Sequence, residues 1–300
     1  MVVDMTRVRL SKYHATGNDF LVWSWLDAAP GAVPSVATDL APQAVAWCDR
    51  HRGIGADGLI VVLRGRDGAD VEMRLFNADG GIAEMSGNGI RALVAVAVRD
   101  GAGTGDGDGG RLVVDTGGGR REIHYTVDNA GAVIAATVDM GPATFEPSAI
   151  PLDAPSAFGL TAEFHGVTYE GDAAGMGNPH FVVFVDDPAV ARVTQHGPHL
   201  EHDARFPKLT NVEFIRIDGH DELSMRVWER GVGETLSCGT GACAAAAVAR
   251  RRALVGDHVT VHVPGGDLSV DLGDTVKLGG PVVHVYDVEV DVDDFVQDES

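Results

Sequence analysis

The chain has 300 residues, enough for two domains, and 44 acidic against 23 basic side chains give a formal net charge of -21. That balance excludes nucleic acid and anionic membrane as natural partners, because no basic footprint is available to displace counterions. The three lysines, Lys12, Lys208 and Lys277, sit in unremarkable contexts, which disfavours a pyridoxal cofactor, and three cysteines make no disulfide framework.

The N-terminal stretch MVVDMTRVRLSKYH lacks an apolar signal core, so a cytoplasmic protein is expected. APQAVAWCDR reads as a helix that buries Cys48. ALVAVAV at 92–98, bracketed by Arg91 and Arg99, reads as a short buried helix rather than a bilayer span.

Two segments match at a spacing of 152 residues: MRLFNADGGIAEMSGNGIRALVAVAV at 73–98 and MRVWERGVGETLSCGTGACAAAAVAR at 225–250. Ser86 falls on Cys238, Gly87 on Gly239 and Gly89 on Gly241. Each copy predicts an alternating strand, a polar loop, a small-residue turn and an Ala/Val helix. Weaker echoes follow the same order: TGNDF at 16–20 with MGNPHF at 176–181, and VVDTGGG at 113–119 with VHVPGG at 261–266. Ordered matches of this kind indicate an internal duplication. The seam is expected near Asn129–Gly131, GAGTGDGDGG at 101–110 as a flexible surface loop, and the acidic DVEVDVDDFVQDES as a last strand with a frayed tail.

The turns Ser86-Gly87-Asn88-Gly89 and Cys238-Gly239-Thr240-Gly241 each lead into a helix. Free N–H groups of a first helical turn suit a carboxylate or phosphate, and glycine allows close approach. The same dipole should favour the thiolate of Cys238. Tight structural turns would explain the glycines alone. Matched Ser and Cys side chains add a second possibility: two groups touching opposite faces of one carbon, as inversion of a stereocentre needs. Asn18, Asn77, Asn178 and Asn211 lie by glycines or strand ends, where asparagine also serves as a turn former. Glu229 and Arg230 could equally be a surface ion pair. His196, His199 and His202 recur every third residue, but Gly197 and Pro198 should interrupt a helix there. Neither they nor His258 and His262 make a persuasive metal site.

The motifs KYHATGNDF, DRHRGIGADG, FNADGGIAEMSGNGIR, GNPHF, NVEF, ERGVGETLSCGTGACA, PGGDLSV and HVYD, in this order, resemble the diaminopimelate epimerase family over nearly the whole chain. The resemblance implies an α/β (α+β) fold of two similar domains, each with sheet wrapped around a central helix, and an active site in the interdomain cleft. The C-terminal strands would return to the first domain, giving 1–131 plus 275–300 and 132–274. It further implies cofactor-independent interconversion of LL- and meso-diaminopimelate in lysine biosynthesis, by a homodimer. The amino diacid would be held by Asn18, Asn77, Gly87, Asn88, Asn178, Asn211, Glu229, Arg230, Gly239 and Thr240. Cys238 matches one catalytic cysteine of the family and Ser86 stands at the other. Gly81-Ile82 and Ala92 are further departures. A serine hydroxyl is far less acidic than a thiol, whose ordinary pKa is about 8.5, so Ser86 should be a weak base that donates a proton or orders a water. Two alternatives stand beside this reading: a disarmed diaminopimelate-binding homologue, natural or engineered by a Cys-to-Ser change, and an isomerase or racemase for another amino acid.

Overall fold

The computed structural model describes residues 7–27 and 40–292, so the acidic tail beyond 292 and the first six residues lie outside the described part. The chain forms two compact units, one of residues 1–138 with 281–300 and one of residues 139–280.

The first unit contains β1 (Arg7–Ala15), β2 (Asn18–Ser24), α1 (Ala41–Cys48), β3 (Gly58–Arg64), β4 (Val71–Asn77), β5 (Ile82–Ala83) and α2 (Gly89–Arg99). It continues through β6 (Thr104–Asp106), β7 (Gly109–Thr116), β8 (Gly119–Val127) and β9 (Val133–Asp139). The second holds β10 (Leu160–Phe164), β11 (Val167–Gly175), β12 (Pro179–Phe184), α3 (Val193–Glu201), β13 (Asn211–Gly219), β14 (Glu222–Glu229) and β15 (Gly233–Thr235). α4 (Gly239–Arg251), β16 (His258–Val263), β17 (Gly266–Leu272) and β18 (Val276–Pro281) complete it, and β19 (Val283–Asp291) belongs to the first unit.

The same succession of pairings occurs in both units. β1 is antiparallel to β2, β2 parallel to β3, β3 antiparallel to β4, β4 parallel to β7, and β7, β8 and β9 are antiparallel. β11 to β14 and β16 to β18 repeat these directions in the same order. The edge position beside β1 is filled by β19, and the one beside β11 by β10. The duplication legible in the sequence is therefore also a duplication of topology.

FLVW in β2 and GLIVVL in β3 are continuous buried runs, as expected of parallel-paired strands covered on both faces. One cover is α2, buried from Gly89 to Ala97 and packed on β1 to β4; α4 is buried likewise and packs on β11 to β14, β16 and β17. Alanine and valine make both helices slim enough to be surrounded by sheet. On the other face, α1 closes a core of Trp23, Trp25, Trp47, Leu59 and Cys48, and α3 closes one of Phe181, Phe206, Phe214 and Leu200.

The units divide at 138/139 and 280/281, where β9 has completed its pairing with β8 and β18 its pairing with β17. Several expectations need correction. Asn129–Gly131 is the turn of the β8–β9 hairpin, with Gly131 at φ 82. The stretch 101–110 is no loose loop: Thr104 pairs with Arg111 and Asp106 with Gly109. A side chain on Gly105 would stand 2.4 Å from the Gly109 carbonyl, so glycine permits this close hairpin. α3 runs through Gly197 and Pro198. Gly197 is needed there because a β-carbon would lie 2.6 Å from the Trp228 ring. His196 in that helix bonds the Tyr169 hydroxyl at 2.8 Å, and His258 and His262 face Asp271 and Asp267 across β16 and β17.

Candidate active site

Ser86 and Cys238 occupy the same local structure. Ile90 N–H donates to the Ser86 carbonyl and Ala242 N–H to the Cys238 carbonyl, both at 2.9 Å, so each residue opens its helix. Each side chain also caps it: Gly89 N–H donates to Ser86 Oγ at 3.0 Å and Gly241 N–H to Cys238 Sγ at 3.4 Å. Both turns present a first-turn backbone that can receive an anionic group.

In the first unit, Asn88 Nδ2 donates to Asn18 Oδ1 at 3.4 Å, and Asn18 Nδ2 to Asp57 at 2.5 Å. Arg91, wholly buried, donates to Asn88 Oδ1 and to Thr16. Burial brings its pKa down to about 10, with no carboxylate beside it among the described residues. Gly87 and Asn88 are buried while Ser86 is partly exposed, and Asn77 ends β4 in an exposed turn closed by Gly80 N–H. Asn18, Gly87 and Asn88 thus cluster beside Ser86, and Asn77 does not join their hydrogen bonds.

The second unit gathers more chemistry. Cys238 is 5% exposed, with Thr240 Oγ1 3.5 Å from its sulfur. Thr240 accepts from Asn178 Nδ2 at 3.5 Å, and Gly239 leads into α4 beside it. Glu229 meets the Cys238 thiol and is held by Thr235. Its carboxyl is pushed up chiefly by burial, with the hydrogen bonds from Thr235 and Cys238 acting against the rise. Asn211 is buried and spends both ends of its amide on backbone, Nδ2 on Pro179 O and Oδ1 on Arg230 N–H, each at 2.9 Å. It therefore fixes the loops that carry Asn178 and Arg230. The Arg230 side chain is exposed, and one of its nitrogens donates to Lys208 O at 3.1 Å.

The expected thiolate at Cys238 is not what the surroundings favour. Burial pushes the thiol well above its ordinary pKa, and the charges of Glu229 and Glu213 push the same way. The Thr240 and Gly241 hydrogen bonds oppose them too weakly to prevail. Desolvation and two carboxylates outweigh one helix N-terminus. Cys238 rests as a neutral thiol beside a carboxyl of raised pKa, a pair suited to passing a proton.

The sequence reasoning passed over His180, Glu213 and Thr235. His180 Nδ1 donates to Glu213 Oε1 at 2.7 Å, both side chains being fully buried, and its Nε2 lies 2.9 Å from Asn178 Oδ1. GNPHF and NVEF carry the signal for His180 and Glu213 beside their asparagines.

The diaminopimelate epimerase family profile matches residues 10–146 and 173–285. The diaminopimelate epimerase of Moorella thermoacetica is 41% identical over 92% of this chain and 96% of its own length. That of Pelotomaculum thermopropionicum is 40% identical over 94% and 98%. Among solved structures, a hydroxyproline epimerase from Agrobacterium vitis superposes with a TM-score of 0.70 at 16% identity, covering 96% of this chain and 94% of that one. A methylitaconate-delta-isomerase gives 0.63 at 12% identity, covering 99% of both chains, and at these identities the likeness concerns the fold. The class that the relatives at 41% and 40% identity define is an amino-acid isomerase. The chain belongs to the diaminopimelate epimerase family.

Proposed function

We propose that the protein interconverts LL- and meso-diaminopimelate without a cofactor, by removing and returning the proton of one α-carbon. The observation that carries this reading is the Cys238 thiol hydrogen-bonded to the buried Glu229 carboxyl at the entrance of α4. For Cys238 to act as base, its proton passes to the Glu229 carboxylate, leaving thiolate and carboxylic acid; the raised pKa of Glu229 suits it to that exchange. The thiolate then takes the α-proton, and the electron pair left on carbon is spread into the substrate carboxylate. First-turn N–H groups of the helices are the kind of donor that steadies such growing charge. A proton delivered to the opposite face completes inversion, and we assign that delivery to Ser86 or to a water it orders. In the reverse direction Cys238 is the donor.

Asn18, Gly87, Asn88, Asn178, Gly239 and Thr240 are assigned to the reacting amino-acid end, with Asn211 supporting them, and Asn77, outside that cluster, is assigned to the substrate without a choice of end. The exposed Arg230 guanidinium is assigned to the distal carboxylate. A cytoplasmic homodimer is the form expected from the family. The test is epimerisation of each purified stereoisomer with no added cofactor. Turnover at any rate above the no-enzyme control supports the reading; tight binding without α-proton exchange favours a disarmed diaminopimelate-binding protein. That second reading is favoured by the Ser86 hydroxyl, which is less acidic than the thiol at the equivalent place in the second unit.

A further inference from the structure

The two units differ in what lies beneath the first turn of their central helices. In the first, a β-carbon on Gly89 would stand 3.1 Å from Ile60 Cδ1 and 3.3 Å from Phe20 Cζ, both apolar. In the second, a β-carbon on Gly241 would stand 2.8 Å from Glu213 Oε1. Strand register makes the positions equivalent. Phe20 pairs with Gly58 across parallel β2 and β3, two residues before Ile60. His180 pairs with Asn211 across β12 and β13, two residues before Glu213. A Phe–Ile pair in one copy is therefore a His–Glu pair in the other.

The apolar pair shows that the fold does not require a polar one here. A buried carboxylate is costly, and Glu213 Oε2 is buried with no hydrogen-bond partner among the described residues. What the pair adds is a polar chain that ends at the sulfur. Glu213 Oε1 accepts from His180 Nδ1 at 2.7 Å and His180 Nε2 lies 2.9 Å from Asn178 Oδ1. Asn178 Nδ2 donates to Thr240 Oγ1, which lies by Cys238 Sγ, at 3.5 Å for each contact.

We propose that Glu213 is a positioning residue for the proton transfer: through His180 it fixes the Asn178 amide and the Thr240 hydroxyl against Cys238. This rests on the functional reading above. The bond at Nδ1 fixes the ring, and the fixed ring places Nε2 against the Asn178 amide. The groups that face Cys238 with charge are Glu229 from β14 and Glu213 from β13, with His180 from β12 behind them. Removing the Glu213 charge while keeping an acceptor isolates its part.

The experiment compares the unaltered protein, Glu213→Gln, and Glu213→Ile combined with His180→Phe, which installs the pair already tolerated in the first unit. Each is assayed for epimerisation and for the pH dependence of Cys238 alkylation by iodoacetamide, with labelling assigned by peptide mass. Glu213→Gln is expected to move the alkylation midpoint to lower pH and to cut kcat on the order of tenfold. The double variant should melt no lower than the unaltered protein, yet lose turnover. An unchanged midpoint, or turnover by either variant within about twofold of the unaltered protein, overturns the proposal. Should Glu213→Gln fail to fold, the double variant decides by the same criteria. The alkylation profile needs no substrate: a shifted midpoint in a protein inactive on every diaminopimelate isomer would discard the functional reading and leave the hold of Glu213 on Cys238 standing.

Discussion

Ser86 Oγ and Cys238 Sγ are equivalent atoms of two copies of one turn, each accepting the N–H of the glycine three residues on, Gly89 at 3.0 Å and Gly241 at 3.4 Å. The turn is preserved while the proton chemistry is not. A hydroxyl and a thiol make nearly interchangeable helix caps, but they differ greatly as acids.

Cys238 should be slow toward alkylating reagents at neutral pH and gain reactivity only above the ordinary thiol range, because burial and the two nearby carboxylates oppose the thiolate. Replacing Glu229 with glutamine removes one negative charge. The thiolate becomes easier to form, so the alkylation midpoint should fall while epimerisation is lost with the proton acceptor. A midpoint that rises would contradict the assigned electrostatics.

Arg230→Ala should weaken diaminopimelate binding by about 1.5–3 kcal/mol, roughly 10–100-fold in Kd, the range for hydrogen bonds to a charged group. Calorimetry with diaminopimelate and a shorter analogue lacking the distal carboxylate checks it. The analogue should bind both proteins equally, and an equal loss for both ligands would mean that Arg230 acts on the loop rather than on the distal end.

Gly241→Ala should disable the site. The added methyl would stand 2.8 Å from Glu213 Oε1 and 3.3 Å from Cys238 Sγ, inside the polar chain. Activity should fall at least tenfold, the scale of loss from a reacting group displaced by about an ångström. Gly219→Ala, with open space around its α-carbon, serves as the control and should leave turnover unaltered.

Acid stability should reflect Asp287 on β19, whose carboxyl is held down to about 2 by hydrogen bonds from Ser11, Arg9 and His284, in spite of its burial. A carboxyl depressed in the folded state contributes stability above its unfolded pKa, near 3.9, and loses that contribution as pH falls through about 2. Asp287→Asn should therefore lower Tm at pH 7 and leave little difference between the proteins near pH 2, as scanning calorimetry at both values would show.

The duplication, both central helices and the Ser86/Cys238 equivalence were legible because each rests on a local signal: a spacing, a glycine turn, an Ala/Val run. The glycine-rich hairpin at 104–111 was hidden because glycine looks alike in a loose loop and in a close strand pair. α3 was hidden because Pro198 and Gly197 read as breakers, while the Trp228 ring that Gly197 accommodates comes from a distant strand. The thiol state of Cys238 was hidden for a related reason. The helix N-terminus that lowers its pKa is next to it in sequence, but the burial and the Glu213 and Glu229 charges that raise it come from the folded sheet. Glu213 lies inside the NVEF motif, but only strand register sets it against Ile60.

Cys238 is expected to handle the α-proton well and Ser86 to handle it poorly. The most direct measurement is α-deuterium uptake and inversion in heavy water, started separately from LL- and meso-diaminopimelate, for the unaltered protein and for Ser86→Cys. The unaltered protein should exchange the proton from one stereoisomer faster than it inverts it, and Ser86→Cys should invert at least tenfold faster, an effect of about 1.4 kcal/mol on the barrier. Rapid inversion by the unaltered protein with no gain from Ser86→Cys, or no exchange by either protein, would contradict it.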